Sequence, residues 1–131
     1  MSISNENYLV VIEEYAQKHF CKDFSKKFPG WEVTLVGLQQ TLSRFNFSVL
    51  AANVDLISKD ATSNLVLYKM SFRISGQNES AKSSGNRLIL VADHEKKVIR
   101  ILLVYNKNHV GGNRETEWWQ NTVYHEYDNL P

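Results

Sequence analysis

At 131 residues, with 43% apolar and 22% charged side chains, the chain has the size and composition of one globular domain, which excludes wholesale disorder. A single cysteine, Cys21, excludes an internal disulfide and points to a reducing, cytoplasmic compartment. Residues 1–7 show no charged stretch leading into an apolar run, and the longest apolar stretches, such as residues 101–105, are too short to cross a bilayer, so neither a secretory signal nor a membrane span is expected. Net charge is +1, yet residues 69–114 carry nine basic against three acidic side chains, so that segment is +6 and the remainder −5. Such asymmetry suits a local footprint for a polyanion, although basic runs are more often ordinary solvated surface.

Residues 8–12 (Tyr-Leu-Val-Val-Ile) form a β-favouring run that either opens a sheet or begins the next helix. From Glu13 onward, Tyr15, Ala16, Phe20, Phe24 and Phe28 recur at three- to four-residue spacing between lysines. That spacing predicts an amphipathic helix, stopped by Pro29-Gly30. Trp31, Leu35, Leu38, Leu42 and Phe45 resume helical spacing, so the two segments read as a helical hairpin. Residues 54–57 and 65–74 read as strands. In the second, Leu67, Lys69, Ser71 and Arg73 alternate with Tyr68, Met70, Phe72 and Ile74, which predicts a polar and an apolar face. Residues 76–85, rich in Ser, Asn and Gly, read as a flexible loop. Residues 88–92 and 98–105 are continuously apolar strands of the kind covered on both faces, joined by an acidic turn at Asp93. Gly111-Gly112-Asn113 breaks the chain before a closing helix over 115–127 with Trp118, Trp119 and Val123. The expected architecture is one α+β domain over 1–131. In it an N-terminal helical hairpin packs on a mostly antiparallel four-stranded sheet, with a C-terminal helix.

The alternating strand carries the chemistry. It places Lys69 and Arg73 on one face, roughly 13 Å apart, with Arg87 projecting from the next strand and Lys107 following the last. Four cations on one sheet suit a bent phosphodiester, since arginine offers phosphate a planar, always-charged fork. The bland alternative is a set of solvent-facing charges on a half-buried sheet. Cys21, among core-facing aromatics, reads as a small buried thiol. Of Trp118 and Trp119 at least one packs on the sheet, because adjacent helical residues point apart. No two histidines have metal-ligand spacing, and no cofactor motif is present.

The segments Leu67-Tyr-Lys-Met-Ser-Phe-Arg-Ile, Ser84-Gly-Asn-Arg-Leu-Ile-Leu-Val and Val98-Ile-Arg-Ile-Leu-Leu-Val-Tyr-Asn-Lys, in that order, resemble the RelE/ParE toxin superfamily. The likeness covers residues 65–109. It rests on a basic strand, a small-Gly-x-Arg opening of the next, and a last strand ending aromatic-x-Lys. The resemblance implies a RelE-like domain of a toxin–antitoxin system, acting as an endoribonuclease on mRNA, often on the ribosome, and restrained by a cognate antitoxin. Such cleavage needs a base for the ribose 2′-hydroxyl, a cation for the phosphate and an acid for the leaving oxygen. Arg87 matches the strand-opening arginine and is the expected phosphate stabiliser, Lys69 matches a lysine of the preceding strand, and Lys107 the final lysine. The chain departs from the pattern at Ser71, where some members carry a second lysine, and at Asn108, where some carry an arginine. The acid and base are thus left open. His109 is a candidate against a plain loop residue, and His19 and His94 read as structural or exposed. Arg73, Tyr105, Arg114, Tyr124 and His125 complete the expected RNA contacts. A ParE-like toxin that inhibits DNA gyrase without cutting nucleic acid, or an inactive toxin-derived binding protein, are the alternatives.

Overall fold

The computed structural model describes residues 7–44, 53–60, 62, 64–110 and 114–131, apart from the side chains of Phe20 and His109. The expected helical position of Phe45 and the break at Gly111-Gly112-Asn113 lie outside the described residues. The chain opens with strand β1 (Leu9–Ile12), so the run at residues 8–12 starts a sheet and not a helix. Helix α1 (Glu14–Ala16) passes through a π-helical stretch, Gln17–Cys21, into α2 (Lys22–Lys27), and α3 follows at Trp31–Ser43. Three strands come next in sequence: β2 (Val54–Lys59), β3 (Leu65–Ser71) and, after the single turn of α4 (Ala81–Ser84), β4 (Asn86–Asp93). Strand β5 (Val98–Asn106), a 3-10 turn (Lys107–His109) and helix α5 (Glu115–Glu126) complete it.

The sheet has five strands in the order β1-β5-β4-β3-β2. Strands β2 to β5 form an antiparallel meander, while β1 lies parallel to β5, with Val10 opposite Ile99. The expectation of four strands is corrected. Apolar β1 is short, and it pairs along the edge of β5, where backbone groups need partners. The helical hairpin is present but interrupted, since the π stretch shifts the helical register between Ala16 and Cys21.

Two cores sandwich the sheet. On one face Cys21, Phe24, Trp31, Leu38 and Leu42 of the helices meet Tyr68, Met70, Leu88, Leu90, Ile99 and Ile101. On the other, Trp119 and Val123 of α5 meet Leu67, Ile89, Val91, Leu103 and Tyr105. This burial on both sides is why β4 and β5 are apolar without alternation, as the sequence predicts. Gly30 is indispensable at the hairpin corner, because a Cβ there would stand 2.1 Å from the Ser75 carbonyl oxygen. Next to it, Thr34 Oγ1 donates to the Gly30 carbonyl at 2.8 Å and accepts from the Ser75 amide at 2.7 Å, tying α3 to the segment that follows β3.

The β4–β5 turn is built by Asp93, whose Oδ1 accepts the amides of Glu95 and Lys96 at 3.1 and 2.9 Å, with Lys97 left-handed at φ 59°. His94 in that turn is structural. Its Nδ1 lies 2.6 Å from the Tyr8 hydroxyl and its Nε2 3.0 Å from that of Tyr68, linking the entry of β1 to β3.

Candidate functional site

The site is assembled by strand register. Lys69 lies opposite Ile89, Ser71 opposite Arg87, and Arg87 opposite Tyr105. Directly opposed residues share a face, so Lys69, Arg87 and Tyr105 all project toward α5. Tyr105 is there because of a bulge. Strict alternation from Ile99 and Ile101 would aim Tyr105 at the helical hairpin. However, the pairing shifts between Ile89 and Leu90, which face Leu103 and Ile101, and leaves Leu102 as the extra residue. That one residue turns Leu103 and Tyr105 to the α5 side.

Helix α5 supplies the fourth group, which reading the sequence alone missed. Glu115, Trp119 and Val123 recur every four residues, so the stripe that buries Trp119 and Val123 also aims Glu115 at the sheet. Lys69 Nζ lies 2.6 Å from Glu115 Oε2, with side-chain exposures of 16% and 13%. The Tyr105 hydroxyl donates to the same oxygen. Burial by itself would raise the Glu115 pKa. The hydrogen bonds from Lys69 and Tyr105, with the charges of Lys69 and Arg87, outweigh it and hold the carboxyl below its ordinary range. Tyr105 moves the opposite way, pushed far up by burial and by the carboxylate it donates to, so it is a fixed hydrogen donor. The available signal was the Glu-x3-Trp-x3-Val spacing, in which an acidic residue occupies a core-facing position.

Arg87 is placed differently from expectation. It is 7% exposed, and its guanidinium donates to the carbonyls of Asn86 at 2.9 Å, Lys82 at 3.1 Å and Ala81 at 3.4 Å. It therefore closes the carbonyl end of α4, and acts on Glu115 and Tyr105 through its charge. The stretch expected to be a loop thus contains this turn, capped at its start by Ser80, whose Oγ accepts the Ser83 amide. The Ser84-Gly85-Asn86 segment before Arg87 locks the start of β4 to the end of β5. Gly85 ends α4 at φ 81°, and a Cβ there would meet Asn108 Nδ2 at 2.9 Å. Asn106 Nδ2 bonds the Asn86 side chain at 2.8 Å and the Ser84 carbonyl at 3.0 Å.

The remaining predicted residues are scattered. Strand β3 ends at Ser71, and beyond it Phe72 and Ile74 stay buried with Tyr68 and Met70 while Arg73 is exposed between them. Arg73 donates to the Gln77 carbonyl at 3.3 Å and lines a groove with Val33, Thr34 and Gly37 of α3. Lys107 is half-buried in the 3-10 turn, its amide bonded to the Gly85 carbonyl at 2.8 Å, and His109 ends that turn. Arg114 is exposed just ahead of α5. Tyr124 and His125 are exposed near the far end of α5, about 15 Å along the helix from Glu115, so they do not join the cluster. Tyr124 donates instead to the Pro131 carbonyl at 2.8 Å. Cys21 is buried, as expected.

Of the nine basic side chains in residues 69–114, Lys69 and Arg100 are ion-paired, while Arg73, Lys82, Lys96 and Arg114 are exposed. Lys69, on β3, is matched by Glu115, and Arg100, on β5, by Glu13 at 2.8 Å. Among the described residues no helix is long and apolar enough to cross a membrane.

Neither a protein-family model nor a curated protein matches the chain. Among solved structures, it is similar to a chain in the crystal structure of the archaeal RelE–RelB complex from Pyrococcus horikoshii OT3. The TM-score is 0.54 and the identity 17%, and the match spans 77% of this chain and 96% of that one. At that identity the likeness concerns architecture: the domain has a RelE-like fold.

Proposed function

We propose that this chain is a RelE-like toxin of a toxin–antitoxin system that engages RNA over the sheet face beneath α5 and cleaves it. The observation that carries the reading is the convergence of Lys69, Arg87 and Tyr105 from three adjacent strands of a RelE-like sheet. In this reading Lys69 holds a phosphoryl oxygen, Tyr105 donates a hydrogen bond to it, and Arg87 supplies positive field from its seat on α4. Lys107 and His109, at the exit of β5, and exposed Arg73 and Arg114 are proposed to guide the flanking RNA. The structural neighbour comes from a complex of RelE with RelB. By analogy, a cognate antitoxin polypeptide is proposed as the partner of this chain, and the cytoplasm as its compartment.

A second reading, a toxin that inhibits DNA gyrase without cutting nucleic acid, is favoured by one observation. Lys69 is ion-paired to Glu115 and Arg87 is bonded to three carbonyls, so both central cations are engaged. Induction of the intact chain in a bacterium separates the two. Growth arrest with fragmented transcripts, both lost in Lys69→Met, supports cleavage. Arrest with intact transcripts and altered DNA supercoiling supports the second reading, and normal growth refutes both.

A further inference from the structure

One carboxylate oxygen, Oε2 of Glu115, receives Nζ of Lys69 and the hydroxyl of Tyr105, within the field of Arg87. Lys69 and Tyr105 sit on β3 and β5, and Arg87 on the strand between them, whereas Glu115 is the first residue of α5. Donors rooted in the sheet thus converge on an anion rooted in a separate element. Two hydrogen-bond donors and a nearby guanidinium suit a phosphoryl oxygen as well as a carboxylate oxygen, since both are anionic acceptors of similar size. The arrangement is also uneven in charge: two cations face one carboxylate in a site largely withdrawn from water. A phosphodiester, with the same single charge, would occupy those donors as Glu115 does, and a dianionic phosphate would balance the two cations more fully.

Resting on the RNA reading above, we propose that Glu115 is an internal stand-in for phosphate, so that the first turn of α5 closes the seat to an RNA phosphodiester until it withdraws. RNA entry is then an exchange of one anion for another on the same donors, and the resting protein is held in a closed form. The sheet does not need to rearrange, because Lys69, Arg87 and Tyr105 are positioned by strand pairing and by the α4 carbonyls. Movement is required of one helical turn alone.

The test uses the full chain carrying Glu115→Gln, which keeps the side chain's size and its ability to accept from Tyr105 while removing the charge. The probes are inorganic phosphate and a short single-stranded oligoribonucleotide, followed by calorimetric titration at low salt. Phosphate is expected to bind Glu115→Gln at least about 10-fold more tightly than wild type, which is modest for deleting a like charge a few ångströms from an anion. Adding Lys69→Met is expected to abolish the gain, and Glu115→Asp, which retains the charge, to show none. Glu115→Ser repeats the measurement if the glutamine variant fails to fold. A folded variant that binds phosphate no better than wild type, or a gain that survives Lys69→Met, overturns the proposal. Gain for phosphate without gain for the oligoribonucleotide upholds the seat and removes RNA as its ligand. Transcript cleavage by the wild-type chain, with no phosphate gain in the variants, leaves the nuclease standing and removes the role of Glu115.

Discussion

Replacing Lys69 with methionine measures how far the α5 side of the sheet depends on its ion pair. The substitution preserves the aliphatic stem and deletes the ammonium, leaving the Glu115 carboxylate 13% exposed, with the Tyr105 hydroxyl as its remaining hydrogen-bond donor of the two. Breaking a fully buried pair costs about 3–5 kcal/mol. The residual exposure of both partners reduces this to about 2–3 kcal/mol, still well above the value of a surface pair. Urea unfolding followed by tryptophan fluorescence is suited to the measurement, because Trp119 lies one turn beyond Glu115. The midpoint is expected to fall by about 1–2 M. Adding Glu115→Gln removes the orphaned charge and restores most of the loss, giving a coupling energy of about 1.5–2.5 kcal/mol between the two sites. Since the carboxyl titrates below its ordinary 4.5, its contribution is present above that pH and is lost as pH falls through the lower folded-state value. The deficit of Lys69→Met accordingly shrinks in acid. A single variant within about 0.5 kcal/mol of wild type, or a cycle with no coupling, refutes a buried, interacting pair.

The same chemical change should have opposite signs at two glycines. Gly30→Ala forces a methyl against the Ser75 carbonyl oxygen and should destabilise by at least about 1–3 kcal/mol, whereas Gly37→Ala, with nothing within 4 Å, should stabilise α3 by about 0.4–1 kcal/mol; thermal unfolding of both variants checks this. Burial first, and then the charge of Lys97, lower the pKa of His94, so the folded state prefers the neutral ring. Stability should therefore decline as pH falls below about 6.5, the range in which the unfolded chain takes up the proton first, and His94→Gln should flatten that step in urea midpoints taken across it. Cys21 is buried and its thiol is pushed up to about 11, so an aromatic disulfide reagent should react with it at the rate of unfolding; rapid reaction with the native chain would contradict that placement.

Spacing along the chain revealed those elements whose pattern is local. The stop at Pro29-Gly30, the helical repeat from Trp31 to Leu42, the apolar strands either side of Asp93 and the closing helix with one tryptophan inward all follow from residue-by-residue preference and period. Local pattern is a weak guide where an element is short or its partner distant. Strand β1 has four residues, and it is the tertiary pairing with β5 that makes it a parallel extension of the sheet. A turn inside a Ser/Asn/Gly-rich stretch is stabilised by Ser80 at one end and the Arg87 side chain at the other, so its helicity depends on a strand that comes later.

Amino-acid order alone determined the α+β class and the two-sided burial of β4 and β5, because composition and periodicity act over a few neighbours, and the resemblance carried by the strand motifs singled out Lys69, Arg87 and Tyr105 as candidates. Tertiary structure decided how those groups are used. A one-residue bulge at Leu102 reverses the side on which Tyr105 emerges, a four-residue repeat in α5 brings Glu115 onto Lys69, and the short turn before β4 draws Arg87 onto its carbonyls. Each depends on register between segments far apart in sequence, where a shift of a single position exchanges one face for the other.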